Sequence, residues 1–308
     1  MSSRIAVAIP CYNEEATIVS VIKHFKNVLP SAEIYVFNNN STDKSEELAV
    51  QASAKVVRVR RQGKGYVMRT IFDVVVADIL IIVDGDGTYV AEDVVKLIEP
   101  VEKGEADMVV GNRLDTASRQ SLADLNRLGN KLIVQTINFT FGTQYKDVLS
   151  GYRVLSRRFV ERVPLLTPKF ETETELTLQA LEEGLQIVEL PVQYRARPDN
   201  SPSKLRPFHD GGRIMLAIAM LLRDHRPLCF YGFLGGASLF FALCFAVLKA
   251  CNLYGITHLS DSLLAAGILL FSPVGFILLG VGFVLSAINT KFRELKQIMF
   301  RNKSTLTK

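Results

Sequence analysis

Two hydrophobic regimes divide the chain. Over the first two thirds, short apolar and β-branched runs recur at Ile5–Ile9, Glu33–Phe37, Lys55–Val59, Ala77–Val83 and Ala106–Val110. Each run is followed by a polar cluster and then by a helix-like stretch. Ala77–Val83 has no polar residue except Asp78 and predicts a strand buried on both faces of a parallel sheet. The intervening helices are expected from the Cys11–Thr17 segment to about Val28, after Asn38–Asp43, from Gly63-Lys64-Gly65, and over Ala91–Lys103. Strand and helix alternating at this spacing predict an α/β, Rossmann-like domain with a mainly parallel sheet. Beyond it come a long helix over Ser121–Phe141, a helix opened by Phe170–Glu175 and reaching about Glu183, and a late strand over Ile187–Tyr194. Arg195–Pro207 is basic, contains proline and reads as a loop.

The last third changes character. Ile214–Leu222 is nearly all apolar between Arg213 and Arg223. A bilayer crossing needs about 20 residues, so this helix is expected to lie in the membrane interface, with a core helix as the alternative. Leu228–Leu248 and Leu263–Ile288 carry no charge, and each is long enough to span. Pro273 inside the second is tolerated in a membrane helix. The expected organisation is a domain over 1–210, an interfacial helix over 211–227, two spans within 228–290 and a basic tail over 291–308. Arg223 and Arg226 precede the first span, and Lys291, Arg293, Lys296, Arg301 and Lys303 follow the second. The positive-inside rule therefore predicts a multi-pass membrane protein with both termini cytoplasmic.

Composition agrees with that division. A mean hydropathy of +0.21 is high for a chain with 22% charged residues, and segregation of the apolar runs explains it. The net charge of +5 gathers beside those runs, which favours a membrane surface over nucleic acid as partner. No basic stripe with stacking aromatics appears, so nucleic-acid binding is not expected. The four cysteines form no C-x-x-C pair and indicate neither a disulfide framework nor a zinc site. Met1-Ser2-Ser3-Arg4 leads straight into a strand, so no signal peptide is expected.

The chemistry concentrates after the fourth run, in Asp84-Gly85-Asp86-Gly87. Ligands of open α/β sheets bind beyond the carboxyl ends of the strands, where this pair of carboxylates falls. The glycines permit a sharp turn and close approach. Two carboxylates on one loop suit a hard divalent cation that also meets phosphate oxygens; an acidic turn is the plainer alternative. Glu14 and Glu15 also fit simple helix-start chemistry, and Ser41 or Thr42 fits a helix cap. Lys64 between glycines opens a helix, where it meets either a phosphate or solvent. All five polar clusters fall at one sheet edge, and together they read as a nucleotide-sugar site.

Ile9-Pro10-Cys11-Tyr12-Asn13-Glu14-Glu15, then Asn-Asn-Ser-Thr-Asp, then Asp84-Gly85-Asp86, resemble glycosyltransferase family two with the GT-A fold. Asp147-Val148-Leu149-Ser150-Gly151-Tyr152-Arg153 and Ser203-Lys204-Leu205 extend the resemblance to the polyprenyl-phosphate branch, which includes dolichyl-phosphate mannose synthase and bactoprenol glucosyltransferases. One departure is that Asn38 and Asn39 stand where many members carry Asp-Asp. The resemblance implies a donor site of Pro10, Tyr12, Asn13, Glu14, Asn39, Lys64, Asp84, Gly85 and Asp86. It implies Mg or Mn held by Asp84 and Asp86, and places Arg113 against donor phosphate or sugar. Asp147 would orient sugar hydroxyls or accept a proton, or else pair with Arg153. Arg153, Arg197 and Lys204 would clamp the acceptor phosphate, as guanidinium groups bind phosphate bidentately. Glu171 is expected either to touch the sugar or to complement its helix dipole.

The implied activity is inverting transfer of a hexose from a nucleotide-sugar to a polyprenyl phosphate. UDP-glucose is the favoured donor and GDP-mannose the alternative. A phosphate monoester is already anionic near neutral pH, its second pKa being about 6, so base catalysis is not obligatory. A processive polysaccharide synthase would need a Q-x-x-R-W motif, and the chain has no tryptophan. A membrane-anchored scaffold without chemistry predicts an eroded metal loop, whereas Asp84 and Asp86 are both present. The spans are expected to anchor, and to allow a homo-oligomer, rather than to transport.

Overall fold

Alternation along the strands sorts the core into two layers. The computed structural model describes residues 3–114, 124–163, 172–196, 216, 218–254 and 260–306. The chain divides into two units, 1–212 and 213–308. The first unit is built on seven strands: β1 (Ile5–Cys11), β2 (Glu33–Asn38), β3 (Lys55–Arg58), β4 (Ile79–Ile82), β5 (Met108–Asn112), β6 (Arg153–Ser156) and β7 (Ile187–Pro191). Their order in the sheet is β3-β2-β1-β4-β6-β5-β7. Val7, Ile9 and Ile81 pack on one face with Ile18, Ile22, Phe25, Val94 and Leu97. Ala6, Ala8, Leu80 and Ile82 pack on the other with Val67, Met68, Ile71 and Leu176. Successive side chains of a strand point to opposite faces, so unbroken apolar strands such as β4 are required when both faces are covered.

The covering helices are α1 (Ile18–Val28), α2 (Ser45–Gln51), α3 (Lys64–Val74), α4 (Val94–Glu102), α5 (Asp124–Phe141), α6 (Arg157–Arg162) and α7 (Thr172–Glu182). In α1 the buried residues Ile18, Val21, Ile22 and Phe25 recur at the spacing of one helical face. The helix starts later than Cys11–Thr17 suggested. Asn13 lies at φ +53, and the Glu14 carbonyl accepts from the amides of Thr17 and Ile18 at 3.1 and 3.0 Å. Glu14 and Glu15 therefore sit in a turn ahead of α1, not in its first helical turn.

The sheet is mixed. β6 runs antiparallel to both β4 and β5, while the other pairs are parallel. The sequence pattern predicts no strand over Arg153–Ser156, because this short segment merges with the polar motif before it. Its direction has a consequence for the site. Arg153 pairs with Ile82 and Val110, so the start of β6 arrives at the edge where the parallel strands end. β7 then ends beside β5, and Tyr194 beyond it bridges to Tyr89. The five loops that follow β1, β2, β3, β4 and β5 thus share an edge with the segment that precedes β6.

The second unit comprises α8 (218–225), α9 (Pro227–Leu253) and α10 (Asp261–Leu306). α9 and α10 lie close where glycine permits. A Cβ built on Gly235 would stand 2.9 Å from the Gly275 carbonyl oxygen, and Ser238 Oγ donates to the Phe271 carbonyl at 2.7 Å. Small residues and such hydrogen bonds are what helix pairs in lipid use. Both helices are long and apolar enough to cross a membrane. The expected basic tail is not a separate element. α10 continues through it to Leu306 because Lys, Arg, Glu, Gln and Leu all favour helix and no proline or glycine follows Gly282.

Candidate functional site

The loops after β1 and β2 are stitched together by side chains. The Asn13 amide donates to Ser41 Oγ at 3.0 Å, and Asn13 Oδ1 accepts from the Thr42 amide at 2.8 Å. The Glu14 amide donates to Ser45 Oγ at 2.8 Å. Pro10 is half-buried, Glu14 is buried, and Tyr12 is 39% exposed at the mouth. The expected capping by Ser41 or Thr42 is replaced by this cross-linking, and Asp43 Oδ1 accepts from the Ser45 amide at the start of α2.

Asn39, expected in the donor site, has its side-chain amide engaged by the backbone of the neighbouring loop. Its Nδ2 donates to the carbonyls of Val59 and Arg61 at 3.1 and 2.6 Å, and its Oδ1 accepts from the Gly63 amide at 2.7 Å. Both amide hydrogens are spent on the loop that leads into α3, so Asn39 shapes that loop. An aspartate has no hydrogens to make the first two bonds.

The loop after β4 turns at Gly87, φ +73, and the Gly85 carbonyl accepts from Thr17 Oγ1 at 2.7 Å. Asp86 is buried, and its Oδ1 accepts from the Thr88 amide and hydroxyl at 3.1 and 2.6 Å. Asp84 Oδ1 accepts from Lys64 Nζ at 2.6 Å, and the same ammonium pairs with Glu173. Burial alone would lower the Lys64 pKa, but the Asp84 and Glu173 carboxylates outweigh it and hold the group above its ordinary value. A Cβ on Gly151 would collide with the Asp84 carboxylate, so this glycine makes the room in which that carboxylate sits. Hard carboxylate oxygens on one tight loop fit Mg or Mn. Among the described residues no group of three or more such ligands gathers, as is usual where substrate phosphates complete the shell.

Arg113 and Asp147 form a fork. Arg113 Nε donates to Asp147 Oδ2 at 2.8 Å and Nη2 to Oδ1 at 2.9 Å, with the Arg113 amide on Oδ2 at 3.1 Å. Asp147 is 0% exposed. The guanidinium also lies over the Tyr194 ring, 5.5 Å from its centroid. Burial would lower the Arg113 pKa; Tyr89 and Asp147 hold it well above the ordinary value. Tyr89 packs on Tyr194 at 5.2 Å, and its hydroxyl accepts from the Gly151 amide at 2.9 Å. The partner of Asp147 is thus Arg113, not Arg153, and Asp147 positions Arg113.

Arg153 has to be withdrawn from the acceptor clamp. It is 1% exposed, and its guanidinium donates to the Ser150 and Val148 carbonyls and to Thr177 Oγ1 at 3.0, 2.6 and 3.0 Å. Burial pushes its pKa down to about 10, so it stays charged at neutral pH while locking the 147–151 segment onto α7. Arg197, Lys204 and Glu171 lie outside the described residues. Glu173, Tyr89 and Tyr194 were missed in the sequence. Glu173 was hidden in an acidic run that reads as dipole complementation, whereas Tyr89, three residues after Asp86, had a signal in its nearness to the loop.

Comparison with known proteins agrees with this geometry. Residues 6–163 match the family model of glycosyl transferase family 2. Glycosyltransferase AglJ of Haloferax volcanii is 34% identical over 235 residues, 76% of this chain and 77% of that protein. The dolichyl-phosphate hexose transferase of the same organism is 27% identical over 222 residues, 72% of this chain and 95% of that protein. Glucosyl-3-phosphoglycerate synthase from Mycobacterium tuberculosis, solved with phosphoglyceric acid, shares the fold with a TM-score of 0.56 at 25% identity, over 72% of this chain and 79% of that one. The same enzyme solved with Mn2+, UDP and glucosyl-3-phosphoglycerate gives a TM-score of 0.56 at 23% identity with the same coverage.

Proposed function

Because the chain belongs to glycosyl transferase family 2 and has its GT-A fold, we propose that it moves a hexose from a nucleotide-sugar to a polyprenyl phosphate, with inversion. UDP-glucose is the favoured donor and GDP-mannose the alternative. One observation carries the reading: the Asp84-Gly85-Asp86 loop, Lys64 and the Arg113–Asp147 fork meet at one sheet edge. That edge offers carboxylates for a cation and two basic side chains, Lys64 and Arg113, for a diphosphate. The acceptor class is supported by the name of the dolichyl-phosphate hexose transferase and by two helices apolar enough to span. Basic residues flanking those helices favour cytoplasmic termini, on the side where sugar nucleotides are made.

In the reaction an oxygen of the lipid phosphate forms a bond to the anomeric carbon as the bond from that carbon to the donor diphosphate breaks. Asp84 and Asp86 would hold Mg or Mn, which when bound neutralises charge on the leaving diphosphate. Arg113 is pre-oriented by Asp147 and by the Tyr194 ring, so its positive charge is fixed before substrate arrives. Asp147 spends both oxygens on Arg113. The attacking phosphate is already anionic, so this step needs no proton acceptor.

The test uses membranes containing the full chain, a polyprenyl phosphate, Mg or Mn, and radiolabelled UDP- and GDP-sugars in turn. Label is expected in an organic-extractable, mild-acid-labile product with one donor, and its loss is expected in Asp84→Asn and Asp86→Asn. Label that appears equally in both variants would remove the assignment of the loop; no label with any donor would remove the lipid acceptor.

A further inference from the structure

Lys64 is placed unusually for a residue meant to receive a phosphate. It opens α3 directly after Gly63, which sits at φ +131, yet its ammonium turns to two carboxylates from other elements. Asp84 comes from the end of β4 and Glu173 from the first turn of α7. One ammonium thus serves two carboxylates, and its side chain is 35% exposed, close enough to solvent to exchange partners.

We infer that Lys64 is an exchangeable counter-cation, which occupies the Asp84 carboxylate in the ligand-free protein and shifts onto Glu173 when a divalent cation and a nucleoside diphosphate arrive together. The inference rests on the reading of Asp84 as a cation ligand. A divalent ion alone must displace an ammonium already seated on Asp84 Oδ1, and so it binds weakly. A diphosphate changes the balance, because it supplies negative charge both to the incoming ion and to the released ammonium. Glu173 keeps that ammonium beside the site while it is displaced. Glu173 is therefore a positioning residue that couples the two ligands, and such coupling is reciprocal by thermodynamic necessity. The arrangement would keep the site from filling with metal before a donor is present.

The experiment is a Mn2+ titration of the detergent-solubilised full chain, read by electron paramagnetic resonance, alone and with UDP or, separately, GDP. Wild-type protein is expected to bind Mn2+ at least about tenfold more tightly with its nucleotide than without, the size of an ordinary coupling between sites. Lys64→Met should tighten Mn2+ binding in the absence of nucleotide and shrink the coupling. Glu173→Gln should do the reverse to Mn2+ alone, because Asp84 then keeps the whole ammonium. Opposite effects of two neutralising substitutions cannot come from general loosening of the fold. Unchanged or weaker Mn2+ binding by Lys64→Met overturns the inference. Asp86→Asn separates the two layers of argument. If nucleotide-dependent Mn2+ binding survives in that variant, the cation-site reading itself fails and the inference falls with it.

Discussion

Gly151 and the Asp84 carboxylate share a space that a single methyl group would fill. A Cβ at residue 151 would overlap the carboxylate and stand 2.8 Å from its Cγ. The glycine precedes the antiparallel strand β6 and the aspartate follows the central strand β4, so their meeting is a product of the β4–β6 pairing.

Gly151→Ala should therefore act chiefly on Asp84, with a smaller cost to the fold. Relieving an overlap of this kind needs a shift of the carboxylate by about an ångström, and misplacement on that scale is worth about 100-fold in rate. Overpacking should destabilise by about 1–3 kcal/mol. Transfer rate at saturating donor, measured beside circular dichroism of the same preparation, checks this. Activity near wild type would mean that Asp84 is not needed where it stands.

The Arg113–Asp147 fork predicts strong non-additivity. Removing either partner leaves the other charge, Asp147 fully buried and Arg113 largely so, without its ion-pair partner, which costs up to about 3–5 kcal/mol. Removing both, as Arg113→Met with Asp147→Leu, should destabilise by less than the sum of the two, with a coupling of at least about 1 kcal/mol. Urea unfolding followed by tyrosine fluorescence gives the four values, and the absence of tryptophan keeps the signal to the nine tyrosines. Additive losses would contradict the pairing. Activity should vanish in all three variants.

These two relationships show what the sequence could carry. The strands and the Asp84-Gly85-Asp86 loop were legible because their signals are local: an apolar run, then turn residues, then acids. β6 was not, because four residues have no period of their own and antiparallel pairing to β4 and β5 is decided at a distance. The partner of Asp147 was ambiguous for a similar reason. Arg113 and Arg153 were both available by composition, and only the burial of Arg153 against Val148, Ser150 and Thr177 assigns it to structure. The pairing of Lys64 with Glu173 joins the starts of α3 and α7, which no spacing rule connects. The helical continuation of α10 was obscured by charge, since a basic run signals the end of a span without signalling the end of a helix.

Asn39→Asp would restore the residue that many family members carry, yet here it should harm. The carbonyls of Val59 and Arg61 would lose their donors and face an oxygen instead. Leaving buried polar groups unpaired costs about 1–3 kcal/mol, and the loop into α3 should loosen. The expected result is a lower unfolding midpoint and a raised donor KM, with kcat less affected because Asp84 and Arg113 are untouched. A variant with unchanged midpoint would show that the three bonds of the Asn39 amide do not hold this loop.

Cys11 supplies a pH dependence with a definite sign. Burial pushes its thiol up from an ordinary 9.0 to about 11, with the Glu14 and Asp43 charges adding to the shift against the hydroxyls of Ser45 and Ser41. The folded-state pKa is raised, so the stability it confers is fully present below about pH 9. That stability is lost as pH rises through about 11, because the unfolded chain ionises first. In Cys11→Ala this part of the alkaline slope should disappear, although the lysines and tyrosines still titrate. Native protein at pH 9 should also resist iodoacetamide at Cys11, while urea-unfolded protein is modified quickly, since only the thiolate reacts. Peptide mapping after alkylation separates Cys11 from the three cysteines of α9. Equal modification of Cys11 in the native and unfolded states would refute its burial under the β1–α1 turn.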